Sequence, residues 1–334
     1  MRKVPSLAAL LVLVAACNPI AQPCFTPPSV VEDVRILAVA ADPPEARFDP
    51  ATGIADPVVL HALVVQPGVE VSSSSVTWEL CLPSDDAPGC PPGSTIASDP
   101  DWKPASSLPL QVPAEIIQRA VAADPLHALR DVRIRAVLHV DGARPPSAST
   151  LLFFSSGSGP LNRAPHIVGL RTGRDGAPLA DIPMDNPALK LSEQHTNALR
   201  PVLEPPALEE YDSVDLAGRP VHVRERVTYS FYADDTVALG RGLVLKQGTI
   251  PVVIYRGLDD FEADEPEPGT PDTPQGLFDA VPVHAGGSGG TVWIVARDSR
   301  GATSWISVRY VAIEERANCG AAGGGCPQLQ FGCL

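Results

Sequence analysis

The chain has 334 residues, 37 of them proline, only 5% aromatic, with 39 acidic against 25 basic side chains and a net charge of −14. Phosphate binding needs a basic footprint, and no dense cationic patch exists here, so nucleic acid is excluded as a partner. Abundant proline excludes an architecture of long helices and calls for many turns.

The first seventeen residues, MRKVPSLAALLVLVAAC, place two cations before an apolar run from Leu7 to Val14 and small residues at Ala15-Ala16. That run is about half of the ~20 residues a membrane-spanning helix needs, so it reads as an export signal. Val14-Ala15-Ala16-Cys17 resembles the lipobox of bacterial lipoproteins. The resemblance implies a signal peptide at residues 1–16, acylation of Cys17 and a lipidated tether over residues 17–29. An ordinary signal peptide cut near Ala16 or Ala21 is the alternative. Asn18 is similar to the residue that directs enterobacterial lipoproteins to the outer membrane. Losing Arg2 and Lys3 with the signal takes two cations from the net charge of −14, so attraction to anionic lipid is disfavoured and membrane attachment rests on the acyl chains.

Beyond the tether, short β-rich runs bounded by Pro, Gly, Asp and Ser follow one another: Val34 to Ala40, 57–67, 76–82, 131–140 and 149–156. This is the pattern of an all-β sandwich. One short helix is predicted from Pro113 to about Ala123, with Ile116, Ile117, Ala120 and Val121 on one face. Cys81 and Cys90 flank LPSDDAPG, a turn that brings two strand ends together, and are expected to form a disulfide in an exported chain. Cys24, Cys319, Cys326 and Cys333 are left without a pairing. The last three lack the close CxxC pairs of zinc sites.

SSGSGPLNR (155–163) is the domain boundary, being rich in Gly and Ser with no apolar periodicity through it. The second block reads as residues 163–315 and a Cys/Gly-rich tail as 316–334. Its strongest predicted strand is 221–233, where Val221, Val223, Val227, Tyr229 and Phe231 alternate and Glu225 breaks the pattern. VALGRGLVLK (237–246) and PVVIY (251–255) are further β-rich runs. Residues 291–314 read as a hairpin turning at Asp298-Ser299-Arg300-Gly301.

VRILAVAADPPEA, the WELC strand and VWIVARDSRGATSW resemble the tandem immunoglobulin-like domains of uncharacterised myxobacterial lipoproteins. The resemblance implies two immunoglobulin-like β-sandwich domains in tandem, at 30–155 and 163–315, and carries no site residues. No internal repeat is sharp enough in sequence to claim duplication.

Candidate chemistry is sparse. Gly286-Gly287-Ser288-Gly289-Gly290 matches G-x-S-x-G in letters, yet a nucleophile elbow needs a helix after the serine, whereas TVWIVA follows. In the acidic loop 259–276, prolines favour a solvated segment, and the alternative is a low-affinity Ca²⁺ site at Asp259, Asp260, Glu262 and Asp264. His61 and His139 lie within apolar strands and read as packed residues rather than ligands. Trp78, Trp293 and Trp305 are expected in the core, and Trp102, in SDPDWKPASS, is expected to be exposed.

With no cofactor and no catalytic constellation expected, the reading is a lipid-anchored envelope protein acting as a non-enzymatic binding or scaffold module. Its partners would be the membrane, through the lipid, and an envelope protein or glycan. The alternatives are an envelope hydrolase assembled only in three dimensions and a structural spacer in a surface complex.

Overall fold

The computed structural model describes residues 30–31, 33–66, 74–84, 89–103, 107–123, 131–141, 145–174, 180–182, 188–192, 197–204, 209–214, 219–225, 227–234, 278–280 and 289–313. After a two-residue strand β1 (Val30–Val31), the first sandwich holds β2 (Arg35–Asp42), β3 (Glu45–Arg47), β4 (Val58–Val65), β5 (Ser74–Cys81), β6 (Thr95–Trp102), β7 (Ser107–Leu110), the helix α1 (Ala114–Ala123), β8 (Val132–Val140) and β9 (Ser147–Ser155). One sheet runs β2-β4-β7 and the other β3-β9-β8-β5-β6. The chain passes from the first sheet to the second at the cis Asp42–Pro43 bond, and β3 then pairs parallel with β9. Every other pairing is antiparallel. A three-stranded sheet facing one in which the last two strands, β8 and β9, lie between β5 and β3 is the immunoglobulin-like arrangement.

The second sandwich is built from β10 (Ile167–Arg174), β11 (Ala180–Ile182), β12 (Ala188–Ser192), β13 (Asn197–Leu203), β16 (Val227–Asp234), β17 (Phe278–Ala280), β18 (Gly289–Asp298) and β19 (Thr303–Ile313). A hairpin of β14 (Glu210–Val214) and β15 (Pro220–Arg224) is inserted between β13 and β16. Its sheets run β11-β10-β13-β17 and β1-β16-β18-β19-β12. Here too an early strand, β12, pairs parallel with the last strand, β19. The strand order of the first sandwich is therefore repeated, although the sequence shows no repeat. A sandwich constrains which positions face inward and not which apolar residue fills them, so topology survives where identity does not.

Each sandwich has its own core. Phe154, Leu60, Ile117, Ile134, Leu138 and Leu152 are fully buried in the first, and Leu170, Leu189, Leu199 and Ile294 in the second. α1 joins β7 to β8 and lays Ile117 and Ala120 into the first core. Cys81 and Cys90 are joined by a disulfide across nine positions.

A third apolar cluster lies between the sandwiches. β18 buries Val292, Ile294 and Ala296 in its own core and turns Trp293 and Val295 to Leu37 and Ala38 of β2 and Leu63 and Val65 of β4. Strands buried on both faces read as continuous apolar runs, which is why VVLHALVV and TVWIVA show little alternation. Val31 of β1 completes this cluster, since Val30 and Val31 pair parallel with Ala233 and Asp234 at the edge of the second sandwich. Arg297 ties the faces by donating to Ser230 Oγ at 3.1 Å and to the Leu37 carbonyl at 2.8 Å.

The structure departs from the sequence reading in three places. Trp102 is 3% exposed and belongs to the first core, because SDPDW is part of edge strand β6 and not a loop. Proline is tolerated on such an edge. Trp305 is half-buried against the inter-sandwich cluster rather than in a core. The predicted strand 221–233 is two strands, β15 and β16, parted at Glu225. His61 and His139 lie half-buried in β4 and β8, as expected of packed strand residues, and His139 Nε2 lies 3.1 Å from Glu79 Oε2 across neighbouring strands.

Replacing Trp293 by alanine empties the middle of the inter-sandwich cluster, and urea denaturation should register a loss of roughly 3–5 kcal/mol. Ile54→Ala, at a position 62% exposed, serves as control and should stay within about 0.5 kcal/mol of the parent. A Trp293→Ala loss no greater than the control's would show that the two sheets do not pack.

Breaking the disulfide by Cys81→Ser and Cys90→Ser together releases a short loop. This should lower stability by roughly 2–3 kcal/mol in the same assay, from the chain entropy restored to the unfolded state.

Candidate functional site

Where the two sandwiches meet the connector, a cleft of about 440 Å³ opens. The first sandwich supplies Glu45 and Arg47 from β3, Phe153 and Ser155 from β9, and Asp131 just ahead of β8. The connector supplies Gly157, Gly159, Pro160 and Asn162, and the second sandwich supplies Glu210, Tyr211, Asp212, Pro220 and His222 from the inserted hairpin and Arg300 from the β18–β19 turn.

Arg300 is the hub. Its guanidinium pairs with Glu45 of the first sandwich and, at 3.5 Å, with Glu209 beside the inserted hairpin, and it lies 4.8 Å from the centre of the Tyr211 ring. The turn that carries it is shaped by Asp298, whose Oδ1 accepts from the backbone N–H groups of Arg300 at 2.9 Å and Ala302 at 2.8 Å. Gly301 closes the turn with φ +91°, and a Cβ there would meet Phe153 Cε2 at 2.7 Å. Only glycine both adopts that backbone and leaves room for the ring of the other sandwich.

Glu45 is 6% exposed, and its carboxylate is satisfied from several sides. It accepts from Ser155 Oγ, from the Asn162 backbone N–H at 2.7 Å and from Arg300. Asn162 Nδ2 donates to Asp298 Oδ2 at 3.0 Å, linking connector to turn, while its Oδ1 is buried without a partner. Arg47 donates to the carbonyls of Gly157 and Gly159 and pins the connector to β3.

On the hairpin, Asp212 and His222 stand opposite each other in register, and Glu210 lies two residues away on the same face. His222 is held by Asp212 at 3.0 Å and Glu210 at 3.2 Å. These two carboxylates push its pKa up, Asp212 foremost. Behind the cleft, Glu225 is 3% exposed, and burial together with the charge of Asp298 pushes its carboxyl up to about 8. Asp298 is raised as well, chiefly by burial.

No protein-family profile matches the chain, and none of the curated proteins compared does. Among solved structures, murine CEACAM1b is matched over 84% of this chain and 99% of its own at 11% identity and a TM-score of 0.19. The extracellular domains 3–5 of Drosophila OTK are matched over 87% and 100% at 9% identity and a TM-score of 0.18. At these TM-scores the likeness carries no argument, and the immunoglobulin-like assignment stands on the strand order above.

Most candidate site residues singled out in the sequence fall outside the described residues, and Cys81 and Cys90 are not among the residues lining this cleft. Cys17, the acidic-loop carboxylates Asp259, Asp260, Glu262 and Asp264, the four unassigned cysteines, Ser288, and the runs 237–246 and 251–255 fall outside the described residues. Cys81 and Cys90 brace β5. Gly289 and Gly290 open strand β18, not a helix, and a Cβ on Gly290 would strike the Tyr310 ring opposite at 2.8 Å. Among the described residues, no three His, Cys, Asp or Glu side chains form a metal site. The sequence pointed toward the junction through the boundary at 155–163, the turn at 298–301 and Glu225, an ionisable residue at the inward parity of an alternating run.

Because Glu225 is protonated in the fold below about pH 8 but ionises near its ordinary value of 4.5 when unfolded, folding takes up a proton between those limits. Stability should therefore fall as pH rises from about 5 to 8.5. Glu225→Gln should flatten that slope in melting curves taken across the interval, and an unchanged slope would assign it to other groups.

Proposed function

We propose that this protein is an exported, lipid-anchored envelope protein that works as a non-enzymatic binding or scaffold module, with the junction cleft as its recognition surface. The observation that carries this reading is how the cleft is tied together. Arg300, Glu45, Arg47 and Asn162 bond across three separate parts of the chain, so the surface is shaped before any ligand arrives. Preorganisation of that kind removes the ordering cost of binding. The charged groups are engaged as structural pairs, an arrangement that suits holding a partner better than moving protons.

Export is supported by the Cys81–Cys90 disulfide, which suits an oxidising compartment. Among the described residues, no helix is long and apolar enough to cross a membrane. Anchoring at Cys17 is supported by the lipobox-like sequence. The thirteen residues 17–29 give a reach of at most ~45 Å from an acylated Cys17 to β1, enough to stand the sandwiches clear of headgroups.

Cys17→Ser should move the protein from the detergent phase to the soluble phase on fractionation. Retention unchanged by the substitution would refute the lipid anchor. The soluble Cys17→Ser protein, fluorescently labelled, should bind isolated envelopes saturably, and a linear, non-saturating signal through millimolar concentration would refute the binding module.

A further inference from the structure

We infer that the junction cleft is a carbohydrate site, taking a short stretch of a neutral, polyhydroxylated glycan; this rests on the reading of the protein as a binding module. Two rings line the cleft, one from each sandwich: Phe153 of β9 and Tyr211 of β14, both half-buried. Arg133 and Arg300 lie over them at 5.7 and 4.8 Å from the ring centres. An aromatic ring has two negative faces, and the C–H groups of a sugar ring carry the partial positive charge that such a face attracts.

The polar lining discriminates against ions. Carboxylates of Glu45, Asp131, Glu210 and Asp212 face an anion, whereas the guanidinium groups of Arg47 and Arg300 face a cation. A neutral ligand meets neither barrier. A hydroxyl both donates and accepts, so a sugar can use acceptor-only carboxylates and donor-only guanidinium groups side by side. Glu210 and Asp212 each show one bond to His222, and an ionised carboxylate offers about four acceptor positions, so both have capacity for ligand hydroxyls.

A volume of about 440 Å³ lies within the range of small-molecule sites, roughly 300–1,000 Å³, and suits a few sugar units rather than a protein loop.

The test is an oligosaccharide array carrying neutral, acidic and amino sugars, probed with the labelled Cys17→Ser protein, followed by titration calorimetry with the best-retained neutral oligosaccharide. Neutral members should be retained, and Tyr211→Ala should weaken calorimetric binding about tenfold or more. His222→Ala, on the exposed hairpin, is the second variant, and melting temperatures check that both remain folded. Retention of acidic or amino sugars alone, or neutral binding untouched by both variants, would overturn the carbohydrate site. If no neutral sugar is retained while envelopes still bind saturably, the inference fails and the binding-module reading stands; if envelopes do not bind either, both fail.

Discussion

The two-sided burial of β18 against β2 and β4 is the constraint on which the rest of the molecule depends. Two sandwiches joined by a flexible Gly/Ser connector would ordinarily move relative to one another. Here Trp293 and Val295 leave the second sandwich on the face opposite its own core and meet Leu37, Ala38, Leu63 and Val65 of the first. The central residues of these strands, 37–39, 62–65 and 292–296, thus face one apolar layer or the other. Charged substitution on either face would break a core or an interface, which explains why the polar half of the usual strand alternation is missing.

With the sheets locked, polar groups at the same junction can be positioned at fixed distance. Arg300 reaches Glu45 across the boundary because Gly301 lets its turn sit against Phe153. Breaking a buried pair of this kind costs more than the pair contributes, since a charge is left unpaired away from water. The network therefore specifies one arrangement of the two sandwiches, while the apolar cluster supplies the driving force. Its acidic members also explain the proton held by Glu225: burial and the nearby charges of Asp298 and Glu209 outweigh the single Arg300, which Glu45 engages as well.

The sandwich class, the helix and most strands of the first unit were legible because they depend on local signals: alternation, proline at a helix start, glycine at a turn. Trp102 was misread because β6 is an edge strand, rich in Asp and Pro on its exposed positions, so its composition resembles a loop. The second unit was harder to read, since its early strands are short and β12 pairs with β19, more than a hundred residues later. The cleft was invisible for a related reason. Its residues come from positions 45, 131, 153, 162, 211, 222 and 300, and no spacing rule connects them. The connector 155–163 and the turn at 298–301 were legible as a boundary and a hairpin, and Glu225 stood out by violating an alternation that its neighbours obey, but none of the three announced a cleft.

The repeated strand order shows where the two units differ. In the first, β5 is flanked by β6; in the second, the equivalent strand β16 is flanked by β1, the chain's own leading segment, in parallel rather than antiparallel pairing. The second unit also adds the β14–β15 hairpin, which has no counterpart in the first. Both departures lie at the junction: β1 closes the apolar side with Val31, and the hairpin closes the polar side with Tyr211 and His222. Neither addition is needed to complete a sandwich. Each acts on the relation between the two units, which makes that relation, and not either fold alone, the feature these additions build.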